Sequence, residues 1–326
     1  MFLKTGCLPK TSMKKYLIIL LLFSKTVTAQ KSVVSKDTSF AIQSTYEKER
    51  KKFSFIEIAA PEKSKKTIQQ YNIGYRNIGG RDLLLDIFYP KKIKHKKPAV
   101  LLIFGGGWRS GDKTHNYAMA TVLANNGYVA VTAEYRLSLE APYPAAVYDL
   151  KAAIRWMRNH AKEYGIDTAQ ITVMGCSAGG QLAALIGTTN NNPSFEDNSG
   201  DNNYSSAVQA AVDIDGILSF KHPESAEAAS ASLWLSGTYE QNPENWTQAS
   251  ALTHADKNTV PFLFINSSLP RFHAGRDDMI AKMNLFSIYS EVHTMPDTPH
   301  PFWFFHPWFE PTMKYTLDFL EKVFKK

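Results

Sequence analysis

Gly175-Cys176-Ser177-Ala178-Gly179 lies between an apolar strand-like run, Ile171 to Met174, and an apolar helical stretch, Gln181 to Ile186. No other passage constrains the chain as much. A serine on a sharp strand-to-helix turn is held in a strained backbone conformation that pushes its hydroxyl out of the sheet. Small residues on both sides keep the turn from clashing with its neighbours. A bare G-x-S-x-G occurs by chance in many proteins. With a strand before it and a helix after it, the motif predicts a nucleophilic Ser177 at the edge of a layered sheet.

The surrounding pattern supports such a sheet. Residues 72–77 and 83–89 alternate as strands about the turn Gly79-Gly80. Residues 99–104 and 128–133 are continuous apolar runs, as expected of strands buried on both faces. A helical stretch at 117–125 and the turn Asn126-Gly127 join them. Residues 143–164 read as an amphipathic helix with Ala146, Leu150, Ala153, Ile154 and Met157 on one face, ended by Gly165. Asp149 and Arg155 in this helix read as structural, as an ion pair or a cap. Further strands are expected at 207–214, 260–266 and 291–294, and a final helix at 312–326. Strand and helix alternating in this way predict an α/β fold, a mostly parallel central sheet with helices on both faces. One domain is expected over 71–326. Residues 216–255, mixed in composition and holding Trp234 and Trp246, are where a small insertion or cap would sit. The polar residues 30–70 are expected to be a tether and lead-in.

The first 29 residues read as a cleavable export signal. Lys14 and Lys15 form a basic start, Tyr16 to Phe23 a short apolar core, and Val27-Thr28-Ala29 a small-residue cleavage site. Met13 is an alternative start. The apolar run falls short of the roughly 20 residues a membrane span needs, and no cysteine at the cleavage site offers a lipid anchor. A secreted or periplasmic protein is expected. The whole chain holds 37 Lys+Arg and 30 Asp+Glu, but five lysines (4, 10, 14, 15 and 25) lie in the leader, leaving 37 − 5 = 32 bases against 30 acids. Most of the basicity therefore belongs to the leader and gives no argument for nucleic acid. The runs Lys91-Lys92 and Lys94 to Lys97 read as a solvated loop. Cys7 leaves with the leader, so Cys176 is alone and has no internal disulfide partner; it reads as a packed small hydrophobe.

Three further segments complete a constellation around Ser177. Phe104-Gly105-Gly106-Gly107-Trp108 ends a buried strand, and its glycines leave backbone N–H groups free to meet a developing oxyanion. Gly106, Gly107 and Ala178 are the candidate donors. His300, in a loop after the last strand, is the candidate base; His306 and His273 are its rivals. The orienting acid is expected in the loop after the strand at 261–266, where Asp277 and Asp278 stand. Asp277 is favoured for its spacing to the apolar Ile280, giving the chain order Ser177, Asp277, His300. Either aspartate could instead cap a helix. Phe302, Trp303, Phe304, Phe305, Trp308 and Phe309 crowd the stretch after His300. They either pack the C-terminal helix or stack on a sugar ring, and Trp108, Trp303 and Trp308 are the candidate substrate contacts. No metal or cofactor is called for.

On these residues the chain resembles α/β-hydrolases of the esterase/lipase group that carry an HGGGW-type oxyanion motif. The likeness runs from about Tyr71 to the C-terminus. Phe104 replaces the usual histidine of that motif, a position that is structural in such enzymes. The ending DTPHPFWFFHPWF, residues 297–309, resembles exported bacterial carbohydrate esterases that remove acetyl or methyl groups from pectin or xylan. The resemblance implies a serine carboxylesterase acting on an ester-bearing carbohydrate, with no nucleic-acid, membrane or obligate protein partner. A general short-chain esterase or lipase is the second reading, and a carbohydrate-binding pseudo-esterase a non-enzymatic third.

Overall fold

The computed structural model describes residues 1–3, 6, 37–197, 203–226 and 228–324, and every element below belongs to the compact unit Val34–Lys326. The predicted leader lies almost entirely outside the described residues. Among the described residues no helix is long and apolar enough to cross a membrane.

Among the described residues ten strands occur in chain order: β1 Glu57–Ile58, β2 Thr67–Ile78, β3 Arg81–Pro90, β4 Lys97–Ile103, β5 Val129–Ala133, β6 Ile166–Cys176, β7 Ala210–Ile214, β8 Phe262–Ser267, β9 Ser290–Met295 and β10 Phe305–His306. Eight of them form one sheet in the order β2-β3-β5-β4-β6-β7-β8-β9. The β2–β3 hairpin and the β3–β5 pair are antiparallel, and every pairing from β5 through β4 to β9 is parallel. The expected α/β-hydrolase-type sheet, mostly parallel with helices on both faces, is what the chain forms.

The continuous apolar runs are explained by two cores, one on each face. Along β4, Ala99, Leu101 and Ile103 point into one core, with the helices Ala145–Asn159 and Ala178–Thr188 packed over them. Val100 and Leu102 point into the other, beneath the helices Tyr117–Asn125 and Phe309–Phe324. Successive strand side chains face opposite ways, so a strand covered on both sides is apolar on both faces along most of its length. Each such leucine contributes roughly 1.5–3 kcal/mol by leaving water.

Asp149 and Arg155 are structural, but they do not pair with each other. Asp149 is fully buried and accepts from Arg136 at 2.8 and 2.9 Å and from Arg76 at 3.0 Å. Arg155 and Lys151 instead hold Glu196, at 2.6 and 2.8 Å.

The expected lead-in differs from its description as a tether. Residues 42–49 form a helix, Phe53, Ile56 and Ala59 are buried, and β1 pairs antiparallel with β10. Asp37 accepts from Arg109 at 2.8 Å, and the Ser110 hydroxyl donates to the Asp37 carbonyl at 3.0 Å. A few apolar residues inside a charged stretch suffice to dock it. Residues 216–255, where an insertion was expected, hold the short helices Ala228–Trp234, Pro243–Gln248 and Ala251–His254. Of these residues, Trp234, Leu235 and Trp246 are buried in the main core, against Trp108 and Phe220.

Candidate active site

The chain turns sharply as it leaves β6. Ser177 has φ 56° and ψ −122°, and the helix Ala178–Thr188 begins at the next residue. The turn is tight enough that a Cβ on Gly179 would lie 2.2 Å from the Ile103 carbonyl oxygen. Only glycine fits there. The Ser177 N–H donates to the Ile214 carbonyl at 2.8 Å, which ties the turn to the end of β7.

His300 arrives from the loop that follows β9. Its Nε2 lies 2.8 Å from Ser177 Oγ. The ring is stacked on Phe272, with centroids 3.4 Å apart and planes 8° apart, and meets the edge of Trp303 at 5.1 Å. Both aromatics fix the imidazole plane.

The carboxylate bonded to His300 is Asp215, not Asp277. His300 Nδ1 lies 2.9 Å from Asp215 Oδ2, and the Ser267 N–H donates to Oδ1 at 2.8 Å. Burial pushes the Asp215 carboxyl up, but the His273 and His300 side chains, the His300 charge and the Ser267 side chain more than offset it, so the group sits below its ordinary value. Asp277 occupies the first turn of the helix Arg276–Leu285, 79% exposed, and accepts from its neighbour Arg276 at 2.8 Å. Asp278 is 68% exposed and faces His222 at 3.4 Å. Neither is bonded to His300. Strand adjacency explains the correction. In the register Cys176 lies beside Ile214, so the residue after each strand meets the other, Ser177 against Asp215. The loop after β8 first makes a turn at Pro270–Phe272, and its helix carries Asp277 out to solvent.

The neighbouring histidines have other surroundings. His306 lies in β10 and pairs with Glu310, and His293 stacks on Tyr315 at 3.8 Å. His273 is buried, with Nδ1 3.6 Å from Asp215 Oδ1. Cys176 is buried and its thiol is pushed well up, chiefly by that burial, consistent with a packed side chain. Among the described residues no three His, Cys, Asp or Glu side chains cluster as a metal site requires.

The glycine loop lies against the serine turn. A Cβ on Gly105 would fall 2.6 Å from the Cys176 carbonyl oxygen and 3.0 Å from Ser177 Cβ. Gly106, Gly107 and Trp108 all have positive φ, at 128°, 60° and 58°. Phe104, just before the glycines, is buried and stacked on Tyr135 at 4.4 Å, and the Tyr135 hydroxyl donates to its carbonyl at 2.9 Å.

The three tryptophans expected to touch substrate are packing residues. Trp108 is 2% exposed, stacks on Trp234 at 5.1 Å and donates its indole N–H to Gln181 at 2.9 Å. Trp303 is 1% exposed. Trp308 lies edge-on to Phe53 and Phe55 of the N-terminal segment. An aromatic ring read from sequence carries no sign of which way it faces, and core burial is the commoner outcome.

With this geometry established, the BD-FAE family profile matches residues 85–273, more than half of the chain. The chain belongs to the BD-FAE family. The BD-FAE match takes in the glycine loop, Ser177, Asp215 and His273, and His300 follows it. Esterase LipC of Mycobacterium tuberculosis is 34% identical over 193 residues, covering 57% of this chain and 47% of LipC. The BD-FAE chain spans about half the length of the curated relatives LipC and LipQ. Among solved structures, a bifunctional GH43-CE protein of Bacteroides eggerthii has a TM-score of 0.69 at 25% identity, covering 78% of this chain and 38% of that one. A thermophilic esterase of Thermogutta terrifontis has a TM-score of 0.66 at 25% identity, covering 81% of this chain and 95% of that one.

One signal in the BD-FAE sequence could have found Asp215. Asp213-Ile214-Asp215-Gly216 places two carboxylates at the end of an otherwise apolar run. Burying a carboxylate is costly unless it is bonded, so such a pair marks a position with work to do.

Proposed function

We propose that this chain is an exported serine carboxylesterase that hydrolyses acetyl or methyl esters on plant cell-wall polysaccharides or their oligosaccharides. The observation that carries the reading is the continuous hydrogen-bonded relay from Ser177 Oγ through His300 to the buried Asp215. Ser177 Oγ attacks the ester carbonyl while His300 Nε2 takes its proton. The carbonyl oxygen becomes an oxyanion, met by the N–H groups of Gly106, Gly107 and Ala178. As the intermediate collapses, His300 gives the proton to the departing alcohol, leaving an acyl group on Ser177. Water then attacks that acyl group, His300 takes the water's proton, and a second collapse returns it to Ser177 and frees the acid. Asp215 accepts the hydrogen bond from His300 Nδ1–H throughout, which fixes the useful tautomer and stabilises the imidazolium.

The substrate class is supported by the leader-like residues 1–29, by the resemblance of residues 297–309 to exported carbohydrate esterases, and by the likeness to a GH43-CE protein. A second reading, a general short-chain esterase, is favoured by the likeness to the Thermogutta esterase over most of that chain. A broad lipid cap is disfavoured, because Trp234, Leu235 and Trp246 of the 216–255 segment are turned inward. The test is acetate and methanol release from acetylated xylan, acetylated pectin and methyl-esterified pectin, with Ser177→Ala as control. Release by the wild type alone supports the carbohydrate reading. Silence on all three, with good turnover of p-nitrophenyl acetate, leaves the short-chain esterase.

A further inference from the structure

The loop after β8, from which the acid was expected, holds a histidine against the acid instead. His273 follows the turn Pro270–Phe272 and is 7% exposed. Its Nδ1 is buried without a hydrogen-bond partner, and lies 3.6 Å from Asp215 Oδ1. Asp215 needs such support for two reasons. Its carboxylate is fully buried, so each oxygen must be met by donors if the charge is to persist. Its backbone has φ 50°, a left-handed conformation that surrounding contacts must hold.

The neighbouring residue acts on the other partner. Phe272 is the ring stacked on His300, and the Arg271 guanidinium covers Phe272 at 3.9 Å. The dipeptide Phe272-His273 therefore touches the base with one side chain and faces the acid with the other. Its position is secured by the backbone: Leu218 and Ser219, just beyond Asp215, both donate to the Ala274 carbonyl, at 2.9 and 3.1 Å.

We propose that His273 is a positioning residue for the triad acid, its Nδ1–H aimed at Asp215 Oδ1 so that the carboxylate is held between two imidazoles. The inference rests on the Ser177–His300–Asp215 reading above. Oδ2 then stays with His300, and Oδ1 is shared by the Ser267 N–H and His273. Without His273 the carboxylate has one fixed donor on that side and can turn away from His300. His273 itself transfers no proton and touches no substrate.

The experiment compares His273→Leu, which has no donor, with His273→Asn and His273→Asp, which match each other in shape. Asn can place an N–H near the position of Nδ1, whereas Asp sets an acceptor against an acceptor. Three quantities are read for each purified protein: kcat and KM for p-nitrophenyl acetate, the rate of Ser177 labelling by a fluorophosphonate, and the melting temperature. The Leu and Asp variants are expected to lose roughly 10- to 100-fold in kcat, and comparably in labelling rate, as for a lost hydrogen bond to a charged group. KM should stay within about twofold, and Asn should recover most of the loss. If Leu prevents folding, the Asn–Asp pair decides alone. Leu within about twofold of wild type, or Asn no better than Asp at equal stability, overturns the inference. Wild type that neither labels at Ser177 nor turns over ester overturns the hydrolase reading itself, a different failure from active wild type with indifferent variants.

Discussion

Replacing Asp215 with asparagine separates the carboxylate bonded to His300 from the one expected from sequence. In the wild type Oδ1 accepts from the Ser267 N–H at 2.8 Å and Oδ2 faces His300 Nδ1 at 2.9 Å. Asparagine has a single oxygen. If that oxygen stays with Ser267, the amide NH2 faces His300, and Nδ1 must become the acceptor. The ring proton then moves to Nε2, which points at Ser177 Oγ and can no longer take its proton. A wrong tautomer of this kind lowers kcat about 10⁴-fold in the chymotrypsin-type triad, which is about 5 kcal/mol of transition-state stabilisation at 1.36 kcal/mol per tenfold. Asp277→Asn is the matched control. Its side chain is 79% exposed and bonded to Arg276, so kcat should stay within about twofold. The assay is p-nitrophenyl acetate hydrolysis near pH 7.5, with melting temperatures to show that both variants fold. If Asp277→Asn loses more than about tenfold, or Asp215→Asn less than about 100-fold, the relay described here is wrong.

Three further outcomes follow from individual contacts. Gly106→Ala should be both less stable and slower, because its Cβ would lie 2.2 Å from the Ser110 carbonyl oxygen at φ 128°; the conformation alone costs about 1–3 kcal/mol, readable by denaturant unfolding, and a variant of wild-type stability would refute the close approach. Asp213 is fully buried, and that burial pushes its carboxyl well above the ordinary carboxylate range, with the Gly216 N–H at 2.8 Å offsetting only part of it. The raised folded-state value means that its stabilising contribution is complete below about pH 3.9, the unfolded value, and is lost as pH rises through the folded one; Asp213→Asn, which keeps the Gly216 acceptor, should therefore raise the melting temperature more at pH 8 than at pH 4, and a uniform shift would contradict this. Trp108→Phe should cost roughly 1–3 kcal/mol, since it leaves the buried Gln181 carbonyl oxygen without its indole donor at 2.9 Å; urea unfolding checks it, and a loss of sugar binding at unchanged stability would restore Trp108 as a substrate contact.

The contrast between Ser177 and Asp215 shows what a linear chain declares about a site. Ser177 was legible because its conformation is written into its immediate neighbours: small residues at 175, 178 and 179, an apolar strand before and an apolar helix after. The glycine loop at 105–107 was legible for the same reason, as was His300, placed by the last strand just before it. The two-sided cores were legible because strands covered on both faces read as near-continuous apolar runs.

Asp215 was not legible as the acid because no local pattern reports which strands become neighbours. Its partnership with His300 spans 85 residues and depends on β7 lying beside β6. The tryptophans failed in a related way: Trp108 is the same residue type whether it faces a sugar or, as here, Trp234. The N-terminal segment looked like a tether by composition, yet Phe53 and Ile56 dock it beside the C-terminal helix. Local backbone geometry and the period of apolar residues were determined by sequence alone, since both act over a few residues. The choice of acid, the inward turn of the aromatics and the approach of His273 to Asp215 were decided by tertiary structure, because each depends on a distance between segments that only the assembled core sets.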